Sequence, residues 1–409
     1  MAADPVQGHG RGPGPGTWPR TGYRDMASYR VQGEGVYDHR VVRYDAIVVG
    51  AGPAGSTTAY RLARAGARVC LLDRARFPRD KPCGGGLTLR AVRELPLSVE
   101  PVVEERVDTL ELGFRYAQRW SRRAEKPLIL MTQRRRLDAF LAEQAAAVGA
   151  EFRDGAKVTA VDPAGVVTLD GERLEADVVV GADGANGITA RSLGLPAHEH
   201  GVALEGNVGY ASARRERYGG RAVVELGVVP GGYAWVFPKG DHVNVGVGGW
   251  QSEGPRLRER LRELCSALGI DERDVHDLRG HRLPMRGATR RPVQGRVLLV
   301  GDAAGLVDPL SGDGMYEAFV SARLAAETIL AGGGLELYAD RFAATFAPLE
   351  TVSWRAKLAF ERFPRLAFRL ATTNLSWRLF QAVVRGDQTA SDLHGLKGAP
   401  LRVLQALGT

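Results

Sequence analysis

Cysteine is scarce in this sequence, and two kinds of site are excluded by that scarcity. The 409 residues include three cysteines, Cys70, Cys83 and Cys265, and no two of them form a Cys-x-x-Cys pair. A disulfide-stapled secreted scaffold and a structural zinc site both need closely spaced cysteines. His198 and His200 form a His-x-His pair, but no third ligand is in view, and a zinc site needs at least three protein ligands. We therefore expect no metal site and a reducing, cytoplasmic environment.

Long hydrophobic runs are also missing. No stretch reaches the ~18 consecutive apolar residues of a transmembrane helix, and residues 1–42 lack the apolar core of a secretory signal peptide. Those residues are rich in Gly, Pro and Arg without an apolar period, which predicts a disordered tail. The whole chain, at 44% hydrophobic and 25% charged residues, has the composition of an ordinary globular protein.

Lysine is rare too, with six residues among the 55 lysines and arginines, and the net charge is +8. Residues 341–409 contain ten basic and four acidic residues, so most of the net charge lies at the C-terminal end. Concentration at one end favours an anionic ligand or a lipid surface over nucleic acid. We therefore predict no nucleic-acid partner.

The same C-terminal region predicts helices, with breaks at Pro348, Pro364 and Gly386. One helical face of residues 365–386 is apolar, while most arginines lie elsewhere; it comprises Leu366, Leu370, Trp377, Phe380 and Val384. A basic amphipathic helix can dock on the inner face of an anionic membrane or close a hydrophobic tunnel. A solvated helix packed on the body of the protein is the alternative.

A strand, glycine turn, helix and second strand begin at Tyr44 and predict a βαβ unit. The turn matches the G-x-G-x-x-G dinucleotide fingerprint, and Asp73 ends the second strand. The first glycine permits a tight turn, the second lets the backbone approach a pyrophosphate, and the third permits close helix packing. On its own the unit leaves FAD and NAD open. The turn residues are Gly50, Ala51, Gly52, Pro53, Ala54 and Gly55.

Two later apolar strands end in acidic turns, at Asp183-Gly184 and at Gly301-Asp302. An aspartate at such a position can bind a sugar hydroxyl or the ribityl chain of a flavin, and the next helix N-terminus can face a phosphate. Gly312 and Gly314 follow and allow backbone N–H groups to reach a planar ring. Together with the first turn, these segments predict a flavin nucleotide.

In order and spacing, GAGPAG, GADGANGITAR and GDAAGLVDPLSGDGMYEA resemble the three FAD motifs of the flavoenzyme superfamily that includes p-hydroxybenzoate hydroxylase. The resemblance implies an α/β fold. In it, a Rossmann-like FAD-binding domain of the glutathione reductase/p-hydroxybenzoate hydroxylase type is interleaved with an antiparallel-sheet substrate domain and followed by C-terminal helices. It places the FAD-binding domain at 43–90, 130–192 and 283–335, the substrate domain at 91–129 and 193–282, and the helical region at 336–409.

The resemblance also implies the FAD contacts. Arg134 matches an arginine that approaches the flavin in such enzymes, and Met315 stands where isoleucine is usual. Besides the fingerprint, the expected contacts are Asp73, Arg74, Cys83, Gly84, Gly85, Arg134, Val158, Asp183, Gly184, Gly301, Asp302, Gly312, Gly314 and Met315.

Two more segments, PRDKPCGGGL at 78–87 and YAWVFPK at 233–239, resemble signatures of the geranylgeranyl reductase family. That resemblance places Cys83 over the flavin, where its thiol, with Lys81 nearby, donates a proton or shapes the flavin face; simple packing beside a glycine turn is the alternative. Tyr233, Trp235 and Phe237 alternate on a strand, and so share one face. They form either a wall of an isoprenoid pocket or sheet core.

The expected activity is the FAD-dependent saturation of C=C bonds in a geranylgeranyl or polyprenyl chain, carried by a diphosphate, lipid or quinone. The alternatives are a flavin-dependent monooxygenase or halogenase on the same fold, and a membrane-associated flavoprotein that binds lipid without turnover. No second nucleotide fingerprint is visible, so electrons come from transiently bound NAD(P)H or from a ferredoxin-like carrier protein, and the sequence leaves both open.

Overall fold

The computed structural model describes residues 43–195, 200–285 and 291–388, together with positions 403 and 406. The predicted tail at 1–42 lies outside the described residues, as does His198. Within the described ranges, no helix combines the length and the apolar composition that a membrane span requires.

The strands alternate with short turns over most of the chain. In chain order they are β1 Arg43–Val49, β2 Val69–Leu72, β3 Gly86–Thr88, β4 Glu105–Val107, β5 Thr109–Phe114, β6 Gln118–Arg123, β7 Ile129–Met131, β8 Glu151–Arg153, β9 Val158–Asp162, β10 Val166–Leu169, β11 Glu172–Gly181, β12 His200–Gly209, β13 Arg221–Leu226, β14 Tyr233–Pro238, β15 His242–Trp250, β16 His276–Pro284, β17 Val293–Gln294 and β18 Val297–Leu299.

The helices connect the strands and then follow the last of them. In chain order they are α1 Pro53–Arg64, α2 Leu89–Arg93, α3 Arg134–Ala147, α4 Thr189–Ser192, α5 Tyr210–Ala213, α6 Arg215–Tyr218, α7 Leu257–Leu268, α8 Met315–Ala331, α9 Leu335–Arg362, α10 Pro364–Ala371 and α11 Asn374–Arg385.

The first sheet has the order β17-β18-β11-β1-β2-β8, and its central strands pair in parallel. Its central strand β1 is buried on both faces, as parallel sheets require. Ala46 and Val48 pack in the cluster that contains α1 and α8, whereas Ile47 and Val49 pack in the cluster that contains β9 and β10. The carboxyl ends of β1, β2, β11 and β18 therefore meet at one edge.

The second sheet has the order β16-β12-β15-β14-β13-β5-β6. Its pairs are antiparallel except for β13 and β5, which run parallel. β5 reaches this sheet from a segment that precedes α3, so no hairpin sets its direction relative to β13. One face of the sheet packs against α7, and the other face lines a cavity. A small third sheet with the order β3-β7-β4 is formed by residues between β2 and α3. The predicted domain boundaries stay a prediction.

Helix α9 runs without interruption from Leu335 to Arg362, so the predicted break at Pro348 is wrong. A proline inside a helix removes one backbone hydrogen bond and costs ~3 kcal/mol. Tyr338, Phe342 and Phe346 lie on the face of α9 that is buried in the main core, and burial of large apolar side chains is worth ~2 kcal/mol each. The aromatic packing therefore outweighs the lost hydrogen bond.

The predicted amphipathic face of residues 365–386 is also wrong. Two helices meet at Thr372 and Thr373, where the Thr373 side chain caps α11 by accepting a hydrogen bond from the Ser376 N–H. The change of direction separates the predicted apolar set: Trp377 is buried at 8% exposure, whereas Leu366 is 43% exposed. The apolar residues of α10 and α11 thus serve two surfaces, one inside the protein and one outside.

Candidate active site

The glycine turn between β1 and α1 is built without room for side chains. Gly50 has a φ of +105°, and a Cβ there would lie 2.4 Å from the Ala182 carbonyl oxygen. A Cβ on Gly55 would lie 1.8 Å from the Gly50 carbonyl oxygen, so α1 packs directly against the turn. Gly52 differs, because a Cβ there would meet only the guanidinium groups of Arg79 and Arg134, at 3.7 and 3.8 Å. The turn therefore presents bare backbone to two cations.

Those two arginines share one buried carboxylate. Arg134 is 6% exposed and donates to both oxygens of Asp138, at 2.7 and 2.8 Å, and Arg79 lies 2.9 Å from the same group. Burial disfavours the charged form of Arg134, but Asp138 more than compensates and raises its pKa. Arg79 also lies 3.5 Å from Asp73, so two carboxylates balance the two cations, and the guanidinium N–H groups beside Gly52 suit a pyrophosphate. Arg79 was not among the predicted contacts.

Asp73 lies at the carboxyl end of β2, and its carboxylate accepts hydrogen bonds from the N–H groups of Ala51 and Ala75, both at 2.9 Å. The cavity beside it is lined by Arg74 and Val158. A carboxylate held in this position can accept further hydrogen bonds from ribose hydroxyls. This end of the cavity suits the adenosine half of a dinucleotide.

Asp183 is committed to its own loop. One carboxylate oxygen accepts hydrogen bonds from the Ile188 N–H, the Thr189 N–H and the Thr189 hydroxyl, at 2.7 to 2.9 Å. Its other oxygen is buried and has no hydrogen-bond partner among the described residues. Burial raises the pKa of Asp183 despite these bonds. The free oxygen is the part of Asp183 that remains for a ligand in the cavity.

Asp302, at the end of the strand β18 segment, forms an ion pair with Lys81 at 3.1 Å. Burial opposes ionisation of Asp302, but Lys81 holds its pKa below the ordinary value. His281 of β16 faces the same pair, and its Nε2 is buried without a hydrogen-bond partner among the described residues. Burial, together with Lys81, lowers the pKa of His281 to about 4. A neutral imidazole therefore borders the cavity here, which the sequence did not indicate.

Two buried side chains hold the Cys83 loop: Glu205 of β12 and Lys239, which follows β14. The Cys83 N–H donates to Glu205 Oε1 at 2.6 Å, and the Gly85 N–H donates to Cys83 Sγ at 3.3 Å. Behind the loop, Lys239 Nζ donates to the Thr132 carbonyl oxygen at 2.7 Å. Gly85 is required there because its φ is +79° and a Cβ would lie 2.1 Å from the backbone carbonyl oxygen of Thr132. Glu205 had not been predicted.

Beyond the Cys83 loop the cavity becomes aromatic. Tyr233, Trp235 and Phe237 of β14 lie on one face, with ring centroids 6.0 and 6.2 Å apart along the strand. Trp235 Nε1 donates to Asn244 Oδ1 at 2.8 Å, which satisfies its polar atom. The cavity then extends between the second sheet and α11, and we call this part the apolar arm; it is lined by Leu110, Leu112, Trp120, Val224, Trp377 and Phe380.

The predicted residues converge on this one cavity, which has a volume of about 1610 Å³. Gly55 and Gly301 lie behind its wall, where they permit close packing around α1. The predicted residues that line it are Gly50, Gly52, Pro53, Ala54, Asp73, Arg74, Lys81, Cys83, Gly84, Gly85, Arg134, Val158, Asp183, Gly184, Tyr233, Trp235, Phe237, Asp302, Gly312, Gly314 and Met315.

Comparison with known proteins identifies the cofactor. The model of the FAD binding domain family matches residues 43–330. The chain belongs to this family. Bare backbone at Gly52, the paired arginines and Asp73 fit the pyrophosphate and the ribose of FAD, so the protein is an FAD-dependent oxidoreductase. The α/β fold class expected from the sequence is confirmed.

Relatives of this family member include named reductases. Menaquinone reductase from Mycolicibacterium smegmatis is 36% identical over 318 residues, which are 71% of this chain and 77% of that protein. Geranylgeranyl diphosphate reductase from Synechocystis sp. is 33% identical over 311 residues, 69% of this chain and 74% of that protein. A geranylgeranyl bacteriochlorophyll reductase-like structure from Thermoplasma acidophilum has a TM-score of 0.71 at 21% identity and covers 88% of this chain and 99% of that one. It shares the fold.

The neutral state of His281 predicts a pH dependence of stability. Its pKa is about 4 in the native protein and ~6.5 when unfolded. Between these values the unfolded chain binds a proton that the native chain does not, so stability falls as the pH falls. The total is roughly 3 kcal/mol, and His281→Gln should remove that part of the loss between pH 6.5 and 4.

Urea unfolding of the apoprotein at a series of pH values measures this. His276→Gln is the matched control, because His276 is exposed on the same strand. If the stability curves of His281→Gln and the wild type run parallel through this pH range, His281 is not held neutral.

Proposed function

We propose that the protein uses reduced FAD to saturate C=C bonds in the prenyl chain of a quinone or a prenyl diphosphate. The observation that carries this proposal is the apolar arm, which continues from the Cys83 loop past the β14 aromatics to Trp377. A cavity lined by apolar and aromatic side chains suits a long hydrocarbon chain. The names of the relatives, menaquinone reductase and geranylgeranyl diphosphate reductase, support the same substrate class.

An isolated alkene is a poor hydride acceptor because no neighbouring carbonyl withdraws charge from it. FAD, once reduced, supplies the hydride; the protein must supply the proton and keep water away. We assign the proton to Cys83, because its thiol lines the cavity and accepts a hydrogen bond from the Gly85 N–H. Lys81 is engaged with Asp302, so we assign it to positioning the cofactor end of the site.

Product analysis tests the proposal. The dithionite-reduced holoenzyme is incubated anaerobically with menaquinone or with geranylgeranyl diphosphate, and products are analysed by mass spectrometry. The proposal predicts a gain of one or more hydrogen pairs in the prenyl chain. An oxygenated or halogenated product that forms only in air would identify a monooxygenase or a halogenase instead and would contradict the proposal.

We further propose that the protein meets its substrate at an anionic membrane surface. Among the described residues of 43–195, 200–285 and 291–388, the four exposed large hydrophobic residues all lie between residues 358 and 375, namely Leu358, Phe363, Leu366 and Leu375. Five arginines are exposed around them, against one acidic residue, Glu361; they are Arg355, Arg362, Arg365, Arg369 and Arg378. Inner residues of the same segment, Phe360 and Pro364, line the cavity. A lipid could therefore pass from this surface into the apolar arm.

The double variant Phe363→Glu/Leu366→Glu should reduce binding to phosphatidylglycerol vesicles at least tenfold, because it removes two apolar contacts and repels the anionic headgroups. Vesicle co-sedimentation measures the change. Arg173→Glu, on exposed residue Arg173 of β11, changes the net charge by the same amount and should bind nearly as well as the wild type. An equal loss of vesicle binding in both variants would show that only net charge matters and would contradict the proposed membrane-binding surface.

A further inference from the structure

Glu205 is a buried carboxyl group on the second sheet, and it lines the cavity. It lies on β12, where Ala203 and Glu205 face the cavity while Leu204 and Val208 face the opposite core. Glu205 is 9% exposed. Its Oε1 accepts the Cys83 N–H at 2.6 Å, across 122 residues of sequence. Burial of a carboxyl group at a cavity wall is costly, so its position next to a candidate proton donor calls for a function.

Two cations lie near Glu205, Arg279 and Lys239, and neither forms an ion pair with it at contact distance. Arg279, its register partner on β16, is engaged by Asp80 at 2.6 Å. Lys239 is buried at the end of β14 and is bonded to the Thr132 carbonyl oxygen. Both nearby cations are therefore directed toward other acceptors.

The protonation tendencies follow from this arrangement. Burial raises the pKa of Glu205 and the nearby carboxylate of Asp80 adds to the rise, while the hydrogen bonds from Cys83 and Asn244 and the charge of Lys239 only partly oppose it. Burial likewise lowers the pKa of Lys239, against the pull of Cys83 and Glu205. Both groups are thus shifted toward their neutral forms. A neutral carboxylic acid holds a proton that it can give up.

We propose that Glu205 is the proton reservoir of the Cys83 thiol. The inference rests on the proposed function and assigns it a residue that no sequence motif marks. During saturation, one alkene carbon receives hydride from reduced FAD, the other receives the thiol proton, and the C=C π bond and the S–H bond break. The Cys83 thiolate then takes the proton of the Glu205 carboxylic acid, and solvent reprotonates the carboxylate. Glu205 acts through Cys83 and is a positioning and proton-supplying residue.

Three substitutions separate proton supply from simple anchoring of the Cys83 N–H. Glu205→Gln keeps an oxygen acceptor of nearly the same shape but has no acidic proton, whereas Glu205→Asp keeps the proton on a shorter side chain. Proton supply predicts that multiple turnover falls about 100-fold or more in Glu205→Gln and in Glu205→Ala, within the range of general acid catalysis, and recovers partly in Glu205→Asp. Dithionite reduction of bound FAD stays unchanged in all three. Near-normal turnover in Glu205→Gln with a large loss in Glu205→Ala would reveal anchoring and overturn the inference.

A second measurement does not depend on turnover. Infrared titration of the wild-type holoenzyme should show a protonated carboxyl band that persists above the ordinary glutamate pKa of ~4.3 and is missing in Glu205→Gln. Without such a band at neutral pH the reservoir does not exist. If the wild type saturates no prenyl substrate but shows the band, the proposed function fails while the protonated state of Glu205 stands.

Discussion

Gly55→Val should abolish FAD binding and destabilise the apoprotein by about 1–3 kcal/mol. A Cβ on residue 55 would lie 1.8 Å from the Gly50 carbonyl oxygen, which is backbone and cannot move aside as a flexible side chain can. Helix α1 must therefore shift away from β1, and overpacking of this kind costs ~1–3 kcal/mol before any loss of the cofactor. The shift also displaces Gly52, so the bare backbone that faces the two arginines is lost.

The measurement is FAD content after purification, together with urea unfolding of the apoprotein. Gly209→Val is the matched control, because a Cβ at Gly209 has no neighbour within 4 Å. That variant should keep its FAD and stay within about 0.5 kcal/mol of the wild type, as surface substitutions usually do. Normal FAD content in Gly55→Val would contradict the arrangement of the turn described above.

Arg134→Met should weaken FAD binding about 100-fold and lower the free energy of unfolding by about 3 kcal/mol. Two separate effects combine. The substitution removes a guanidinium group that lies 3.8 Å from where a Cβ on Gly52 would be. FAD thereby loses hydrogen bonds to a charged group, which are worth ~1.5–3 kcal/mol. The substitution also leaves the fully buried Asp138 with Arg79 alone, and breaking a buried ion pair costs ~3–5 kcal/mol.

A second substitution separates these effects. Arg134→Met/Asp138→Leu no longer buries an uncompensated carboxylate, so most of the lost stability should return. FAD affinity should not return, because the cation beside Gly52 is still missing. Fluorescence titration of the apoprotein with FAD and urea unfolding give the two quantities. Recovery of FAD affinity in the double variant would show that Arg134 acts only by stabilising the fold.

The parts of the site that the sequence predicted are those whose chemistry is local in the chain. Gly50, Gly52 and Gly55 have their roles within six residues, and Asp73 ends the strand that follows. Such signals survive without a structure because one strand, one turn and one helix determine them.

Glu205 and His281 could not be predicted, because their significance comes from distant elements. Glu205 meets Cys83 across 122 residues, and His281 meets Lys81 through a strand at the edge of another sheet. Alternation along β12 and β16 identifies which side chains share a face, but it does not identify what lies opposite that face.

The C-terminal helices show the same limit in packing. The Thr373 cap lies in a Thr-x-x-Ser segment that the prediction did not consider, because it followed the continuous apolar period of residues 365–386. At Pro348 the sequence indicated a break, whereas burial of Phe342 and Phe346 keeps α9 whole. At Pro348, tertiary packing overrides a local preference. At Thr373, a local cap overrides the apolar periodicity.

The central claim is that reduced FAD in this protein saturates the prenyl chain itself. An anaerobic single turnover in D2O with menaquinone tests it most directly, because fragmentation in the mass spectrometer separates the ring from the side chain. The account predicts a hydrogen pair gained within the side chain, with deuterium at both carbons because the N–H of reduced FAD and the thiol S–H both exchange with D2O, and no change in the side chain of an analogue that is already saturated. Reoxidation of the flavin with no mass gain in the side chain would contradict it, because the quinone ring alone would then be the acceptor.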